Sequence, residues 1–256
     1  MASNPPAECC VRGFIHEGTA KGETKKIGGT NIYFSYPKES NKKAGKAVLI
    51  LSDVMGIRIN SQLIADYLAA CGYLTVMPDL FHGDGLTPDS FKPGSGFNLQ
   101  EWLAKHPTDV VDPVIESTVK LLREEYKIDK IGGVGYCFGG KYVCRFLKDG
   151  KINVGYTAHP SFISREELST IQGPLSISAA VNQLLFGRVE VDEILTTALR
   201  HESEEILAKV GLPYQLTLYG GVSHGFAVRG DLSNPDIMFA KEQALAQALA
   251  WFGQYL

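Results

Sequence analysis

The sequence has no apolar run of the roughly 18 to 20 residues that a membrane-spanning helix needs, and residues 1–13 lack the apolar block of a secretory signal. We therefore expect a cytoplasmic protein without a membrane partner. It also lacks an excess of positive charge, since 25 Lys and Arg residues stand against 28 Asp and Glu residues, a net charge of −3. Without a basic surface to attract phosphates, nucleic acid is not an expected partner.

Cysteine is scarce and irregularly spaced. The five cysteines are Cys9, Cys10, Cys71, Cys137 and Cys144. An odd number without paired metal-ligand spacings argues against both a disulfide framework and a metal site. Most of these residues are expected to be reduced, buried thiols.

The composition is that of a soluble globular protein, with 45% hydrophobic and 21% charged residues in a chain of 256. We expect one domain over residues 1–256. Short β-branched runs alternate with helical patterns, which predicts an α/β fold: a mostly parallel, twisted sheet with helices on both faces, its first strand antiparallel. The predicted strands are 32–36, 47–52, 74–77, 131–135, 153–158, 175–179 and 215–219, and the predicted helices are 60–71, 114–126, 138–147, 192–210 and 235–255.

Residues 81–107 are rich in Gly, Pro and Asp. A connection of this length is more typical of a cover over a site than of a plain turn. Trp102 is expected to anchor this cover and to contact the substrate.

A strand-to-helix turn carries the main signal for chemistry. Residues 135–139 read Gly-Tyr-Cys-Phe-Gly, the nucleophile-elbow pattern with cysteine in the nucleophile position. The glycines leave room for backbone to pass close by, and the following helix directs its N–H dipoles toward Cys137. The pattern predicts an exposed, reactive thiolate, with the Phe138 N–H as an oxyanion donor. The alternative is a glycine-rich turn with a buried, inert cysteine.

A histidine in the expected place favours the catalytic interpretation. His224 follows the last predicted strand, where a hydrolase of this pattern carries its base. His82 and His159 also follow strands and are candidates for the substrate pocket. The remaining histidines, His16, His106 and His201, lie in polar or helical contexts and are expected to be solvated.

Several motifs together resemble one known family. Residues 135–140 (Gly-Tyr-Cys-Phe-Gly-Gly) and 223–226 (Ser-His-Gly-Phe) are similar to the dienelactone hydrolase family. The resemblance is closest to its fungal branch, through Cys9-Cys10 and residues 51–54, 78–84 and 158–161.

The resemblance implies an α/β-hydrolase with a Cys-His-Asp triad that opens small enol-lactones or esters through a thioester, without a cofactor. By position, Asp53 matches the acidic residue that approaches the resting thiol in the family. Val54 N–H would join Phe138 N–H in the oxyanion hole.

Two departures from the family stand out. Gln183 occupies the place of the triad aspartate, so that either this amide or a nearby acid, Glu190, Asp192 or Glu193, would orient His224. Carboxylate-binding arginines of the family correspond to Gly83 and, approximately, to Arg229, with Arg58 as a substitute or as one half of a surface salt bridge. An acidic substrate is therefore not predicted.

Three functions remain open at this point. The first is a cysteine-dependent hydrolase of a small lactone or ester; the second is an isomerase, cyclase or lyase of a secondary pathway that uses the same pocket, suggested by the missing acid. The third, a silent binding protein, is disfavoured by the intact cysteine, histidine and glycines. The expected partner is a small molecule, and the sequence leaves a homodimer open.

Overall fold

The computed structural model describes residues 1–6, 14–92, 94–181 and 192–256. Within them lies one sheet of eight strands: β1 (Glu23–Ile27), β2 (Thr30–Ser35), β3 (Lys46–Leu51), β4 (Leu74–Pro78), β5 (Lys130–Tyr136), β6 (Val154–Ala158), β7 (Leu175–Val181) and β8 (Tyr214–Gly220). Their order across the sheet is β1-β2-β4-β3-β5-β6-β7-β8. β2 is antiparallel to β1 and β4, and the other neighbouring pairs are parallel. The predicted mostly parallel sheet with an antiparallel early strand is confirmed.

Helices cover both faces of this sheet: α1 (Ile59–Ala70), α2 (Leu99–Lys105), α3 (Thr108–Glu124), α4 (Gly139–Leu147), α5 (Arg165–Ser169), α6 (Thr197–Val210), α7 (Phe226–Arg229) and α8 (Pro235–Tyr255). Along β3, Ala47, Leu49 and Leu51 belong to one apolar cluster, whereas Val48 and Ile50 belong to another. This alternation is what a strand buried on both faces requires. Residues of α3, α4 and α6 complete the first cluster, and residues of α1 and α8 complete the second. No helix in the described ranges is long and apolar enough to span a bilayer.

The helix boundaries follow local chemistry. α8 spans the residues that the sequence predicted. It begins at Pro235 because Asn234 accepts hydrogen bonds from the first-turn amides and proline suits the first helical position. α3 begins at Thr108, earlier than predicted, with Pro113 inside it. The missing hydrogen bond of one early proline is offset by burial of helix residues such as Val111 and Ile115.

Two further differences concern the site and the sheet edge. The helix predicted from Asp192 begins instead at Thr197, because the Thr196 hydroxyl caps it by accepting from Leu199 N–H. Asp192 therefore lies in a turn before the helix and its side chain is not committed to a helical face. β1 was missed by the sequence analysis, since this mostly exposed edge strand is polar.

Candidate active site

Cys137 lies in the turn that joins β5 to α4, in the left-handed backbone region with φ of 50°. Such a conformation costs a non-glycine residue about 1 to 3 kcal/mol and persists only where the surroundings hold it. Here Cys137 N–H donates to Ala158 O at 3.2 Å, and Cys137 O accepts from Gly140 N and Ser161 N, each at 3.0 Å. The turn thus has the predicted strand-to-helix geometry.

The elbow glycines are required by close backbone approach. A Cβ on Gly139 would lie 1.9 Å from Leu51 O, and one on Gly135 would lie 2.6 Å from Gly139 O. These contacts place the end of β3 directly against the first residue of α4. Because Val54 follows that strand end and Phe138 precedes Gly139, their two segments are brought together, as the predicted oxyanion hole requires. Both residues are buried, and Val54 O accepts from Leu86 N at 2.8 Å, which fixes the turn.

His224 is paired with Asp192. Its Nδ1 lies 3.3 Å from Asp192 Oδ2, and both side chains are buried. Asp192 Oδ1 accepts from the N–H groups of Ile194 and Leu195 at 2.9 and 3.2 Å. Burial raises the pKa of Asp192, but the hydrogen bond and charge of His224 and the two amides outweigh it and hold this pKa below its usual value. Asp192 is therefore an ionised acceptor at neutral pH.

The sequence left the third triad position to Gln183 or to a nearby acid, Glu190, Asp192 or Glu193. Gln183, assigned to it from the resemblance, lies outside the described residues, as does Glu190. Glu193 is exposed, and its carbonyl oxygen accepts from Asn4 Nδ2. Of the two candidate acids within the described residues, Asp192 and Glu193, it is Asp192 that pairs with His224.

Cys137 is fully buried, so the predicted exposure was wrong. Its Sγ lies 3.5 Å from Ser161 Oγ, on the loop that follows β6.

Trp102 packs its ring 6.3 Å from that of Phe138, and its Nε1 donates to Asp84 O at 2.7 Å. The segment predicted to be a cover is thus anchored beside the elbow. Contact of Trp102 with a substrate stays a prediction.

Asp53 and Arg229 form a buried ion pair. The second oxygen of Asp53 accepts from Met55 N at 3.0 Å. A buried carboxylate is costly without a counter-charge, which explains why the structure pairs Asp53 with this arginine. Both residues line a cavity of about 110 Å³, together with apolar side chains that include Phe14 and Ile59. The resemblance placed Asp53 near the thiol and Arg229 near the substrate, and both assignments stay predictions.

Arg58 also lines this cavity, and it is exposed. Its Nη2 donates to Gly85 O at 3.3 Å, and among the described residues no carboxylate forms an ion pair with it. The surface salt bridge considered for Arg58 is therefore replaced by a backbone contact.

The structure separates the remaining histidines by burial. His159 is fully buried and packs edge-to-face on His224, with ring centroids 4.9 Å apart, whereas His82 is exposed.

His106 and His16 were predicted to be solvated, but both are buried. His106 bonds Asp84 and packs on Trp102, and His16 bonds Gly230 O. The hydrogen-bond partners Asp84 and Gly230 lie 22 and 214 residues away in the sequence, so local polarity could not predict them.

Neither ring nitrogen of His159 has a hydrogen-bond partner among the described residues. Burial, and secondly the charge of His224, hold the pKa of His159 well below its usual value. Burial also lowers the pKa of His16, although its bond to Gly230 O opposes this. Both imidazoles therefore bind a proton less readily in the folded protein than in the unfolded chain, where the pKa of histidine is about 6.5.

The free energy of unfolding is therefore expected to fall as the pH drops below about 6.5, because the unfolded state then binds more protons than the folded one. Each such histidine contributes a slope of up to about 1.4 kcal/mol per pH unit. Urea unfolding between about pH 7 and pH 4.5 measures it. His159→Asn, which tolerates a positive φ and does not titrate, should remove one proton from the slope. The matched control is His201→Gln at an exposed histidine; an equal loss of slope there would contradict the assignment.

Among the described residues, no group of three or more His, Cys, Asp or Glu side chains is placed to hold a metal ion. The candidate site combines a strained cysteine at a helix N-terminus, two converging backbone segments, and a buried His-Asp pair. Chemically, such a set of groups can support attack on a carbonyl by a nucleophile that a base activates.

Comparison with known proteins identifies the family of the chain. Residues 32–256 match the dienelactone hydrolase family. The chain is 46% identical to the hydrolase pyvD of Aspergillus violaceofuscus and to the hydrolase tropI of Talaromyces stipitatus, over 100% of this chain and 99% of each relative. A solved dienelactone hydrolase from Anabaena variabilis is 14% identical and superimposes with a TM-score of 0.61, covering 92% of this chain and 99% of that one. The fold is the α/β-hydrolase fold, and the chain belongs to the dienelactone hydrolase family of lactone and ester hydrolases.

Proposed function

We propose that the protein hydrolyses a small lactone or ester through a thioester on Cys137, with His224 as the base and Asp192 as its orienting acid. The observation that carries this proposal is the buried pair between His224 Nδ1 and Asp192 Oδ2 at 3.3 Å. A carboxylate there fixes the tautomer of His224, leaves Nε2 for proton transfer, and stabilises the imidazolium that forms.

Acylation begins when His224 removes the Cys137 thiol proton. The thiolate adds to the substrate carbonyl carbon, and the carbonyl oxygen becomes an oxyanion that accepts from Val54 N–H and Phe138 N–H. The carbon–oxygen bond to the leaving group then breaks, and the His224 imidazolium protonates the departing oxygen. In a lactone this oxygen stays attached to the acyl chain, so one ring-opened product remains bound as a thioester.

Deacylation uses the same groups, with water in place of the thiol as the nucleophile. His224, neutral again, removes a proton from water as it attacks the thioester carbonyl. The second oxyanion uses the same two amides, and the carbon–sulfur bond breaks to release a carboxylic acid. The Cys137 thiolate then takes the proton from the His224 imidazolium, which restores the starting state. Every group in this sequence is supplied by the protein or by water.

The presence of Asp192 beside His224 removes the argument that favoured an isomerase, cyclase or lyase. That alternative depended on a missing acid, and both fungal relatives compared above are named hydrolases. The two reactions differ in the product, since hydrolysis adds one water to the substrate whereas isomerisation leaves its mass unchanged. Product mass from any accepted lactone therefore separates them.

Rapid quenching during turnover of nitrophenyl acetate is expected to trap one acetyl group per chain on Cys137. Intact-protein mass spectrometry followed by peptide mapping measures it, and nitrophenolate should appear in a burst of one equivalent if deacylation is the slower step. Cys144→Ala is the matched control, because that thiol is equally buried but lies within α4. An acetyl group that forms as fast in Cys137→Ala, on any residue, would overturn the thioester mechanism.

A further inference from the structure

We propose that Ser161 is a catalytic residue of this site, whose hydroxyl donates a hydrogen bond to the Cys137 sulfur and stabilises it as thiolate. This inference rests on the proposed role of Cys137 as nucleophile. Ser161 Oγ lies 3.5 Å from Cys137 Sγ, within hydrogen-bonding range for sulfur, and both residues are fully buried.

The backbone fixes this contact on both sides. Ser161 N–H donates to Cys137 O at 3.0 Å, and Cys137 N–H donates to Ala158 O at 3.2 Å. The loop after β6 is thus bonded to the elbow on either side of the reactive side chain. His159 and Phe162, which flank Ser161 in that loop, have φ of 41° and 65°. Two non-glycine residues in the left-handed region indicate a loop held in one arrangement against its local preference.

Burial makes such a donor necessary. Removing a sulfur from water disfavours its charged form, and the same effect raises the pKa of the fully buried Cys144 thiol far above its usual value. Cys137 is also fully buried, and an anion in a buried position is costly unless hydrogen-bond donors surround it. The start of α4 supplies a dipole, and Ser161 supplies the hydroxyl. Hydrogen bonds to charged groups are roughly twice as strong as neutral ones.

The test is the pH profile of Cys137 alkylation by iodoacetamide, followed by peptide mapping, in the parent and in Ser161→Ala. Loss of a hydrogen bond to a charged group is expected to move the midpoint of this profile upward by about one to two pH units. Ser161→Thr keeps the hydroxyl and should restore the midpoint toward that of the parent.

Ser203→Ala is the matched control, because its buried hydroxyl donates to Leu199 O within α6, away from the elbow. It should leave the midpoint unchanged. Thermal unfolding of each variant establishes that it is folded. A folded Ser161→Ala with the parent midpoint and the parent kcat/KM for nitrophenyl acetate would overturn the proposal. If instead Cys137→Ala kept full turnover, the nucleophile assignment itself would fail, and the two failures are therefore distinguishable.

Discussion

Replacing Cys137 by alanine should lower kcat for an activated ester such as nitrophenyl acetate by at least about 10³-fold, and His224→Ala should do the same. Loss of a nucleophile or its base costs roughly 10⁶ in kcat in a serine protease. Nitrophenyl acetate is intrinsically reactive, which raises the background and narrows the measurable loss. Steady-state release of nitrophenolate by each purified variant gives the comparison.

The double variant carries the sharper information. Because Cys137 and His224 act as one unit, combining the two substitutions should add little to either loss. Independent, additive losses would indicate that the two residues do not share a step. Cys144→Ala, at a buried cysteine of α4, should retain activity and shows that the loss is specific to the elbow.

Asp192→Asn should lower kcat by about tenfold to a hundredfold. The equivalent change in a serine protease costs roughly 10⁴ because the amide favours the wrong histidine tautomer. A thiol needs less help from its base than a hydroxyl does, so the loss here should be smaller. Steady-state kinetics with the same ester measures it. Unchanged kcat in a folded Asp192→Asn variant would remove Asp192 from the mechanism.

Glu193 offers a matched control for Asp192, since it is the next residue and an exposed acid. Glu193→Gln should leave kcat within about twofold of the parent, as surface substitutions generally have small effects. Gln183→Asp is the complementary variant. If Asp192 already serves His224, a second carboxylate at residue 183 should give no gain, whereas a clear gain would return the third position to that residue.

The elbow was predictable because a short sequence motif carries the residues that form it. Gly135 is required because a side chain there would collide with the backbone oxygen of Gly139. Gly139 is required because a side chain there would collide with Leu51 O on the neighbouring strand. His224 was predictable for a related reason, since it follows directly on the last strand. Most strands of the sheet likewise followed from their apolar or β-branched runs, whereas the Asn234 cap of α8 is a finding of the structure.

The acid was not predictable in the same way. Asp192 lies 32 residues before His224, and which carboxylate reaches the imidazole depends on how the chain returns between β7 and α6. The apolar spacing after Asp192 also resembles a helix, which concealed the turn that ends at Thr196. The Asp53–Arg229 pair spans 176 residues, and only the folded sheet brings these two together. Burial of Cys137 is another property of the assembled loops rather than of the motif.

The missing side chain at Gly139 sets a limit on how this protein can be redesigned or can diverge. Any larger residue there would push the end of β3 away from α4 and so separate the two amides proposed to hold the oxyanion. Substitutions intended to change the substrate should therefore be placed in the surrounding loops, and Gly139 should be kept. Substrate specificity can therefore evolve through substitutions in the loops, whereas the turn between β5 and α4 tolerates almost no substitution at Gly139.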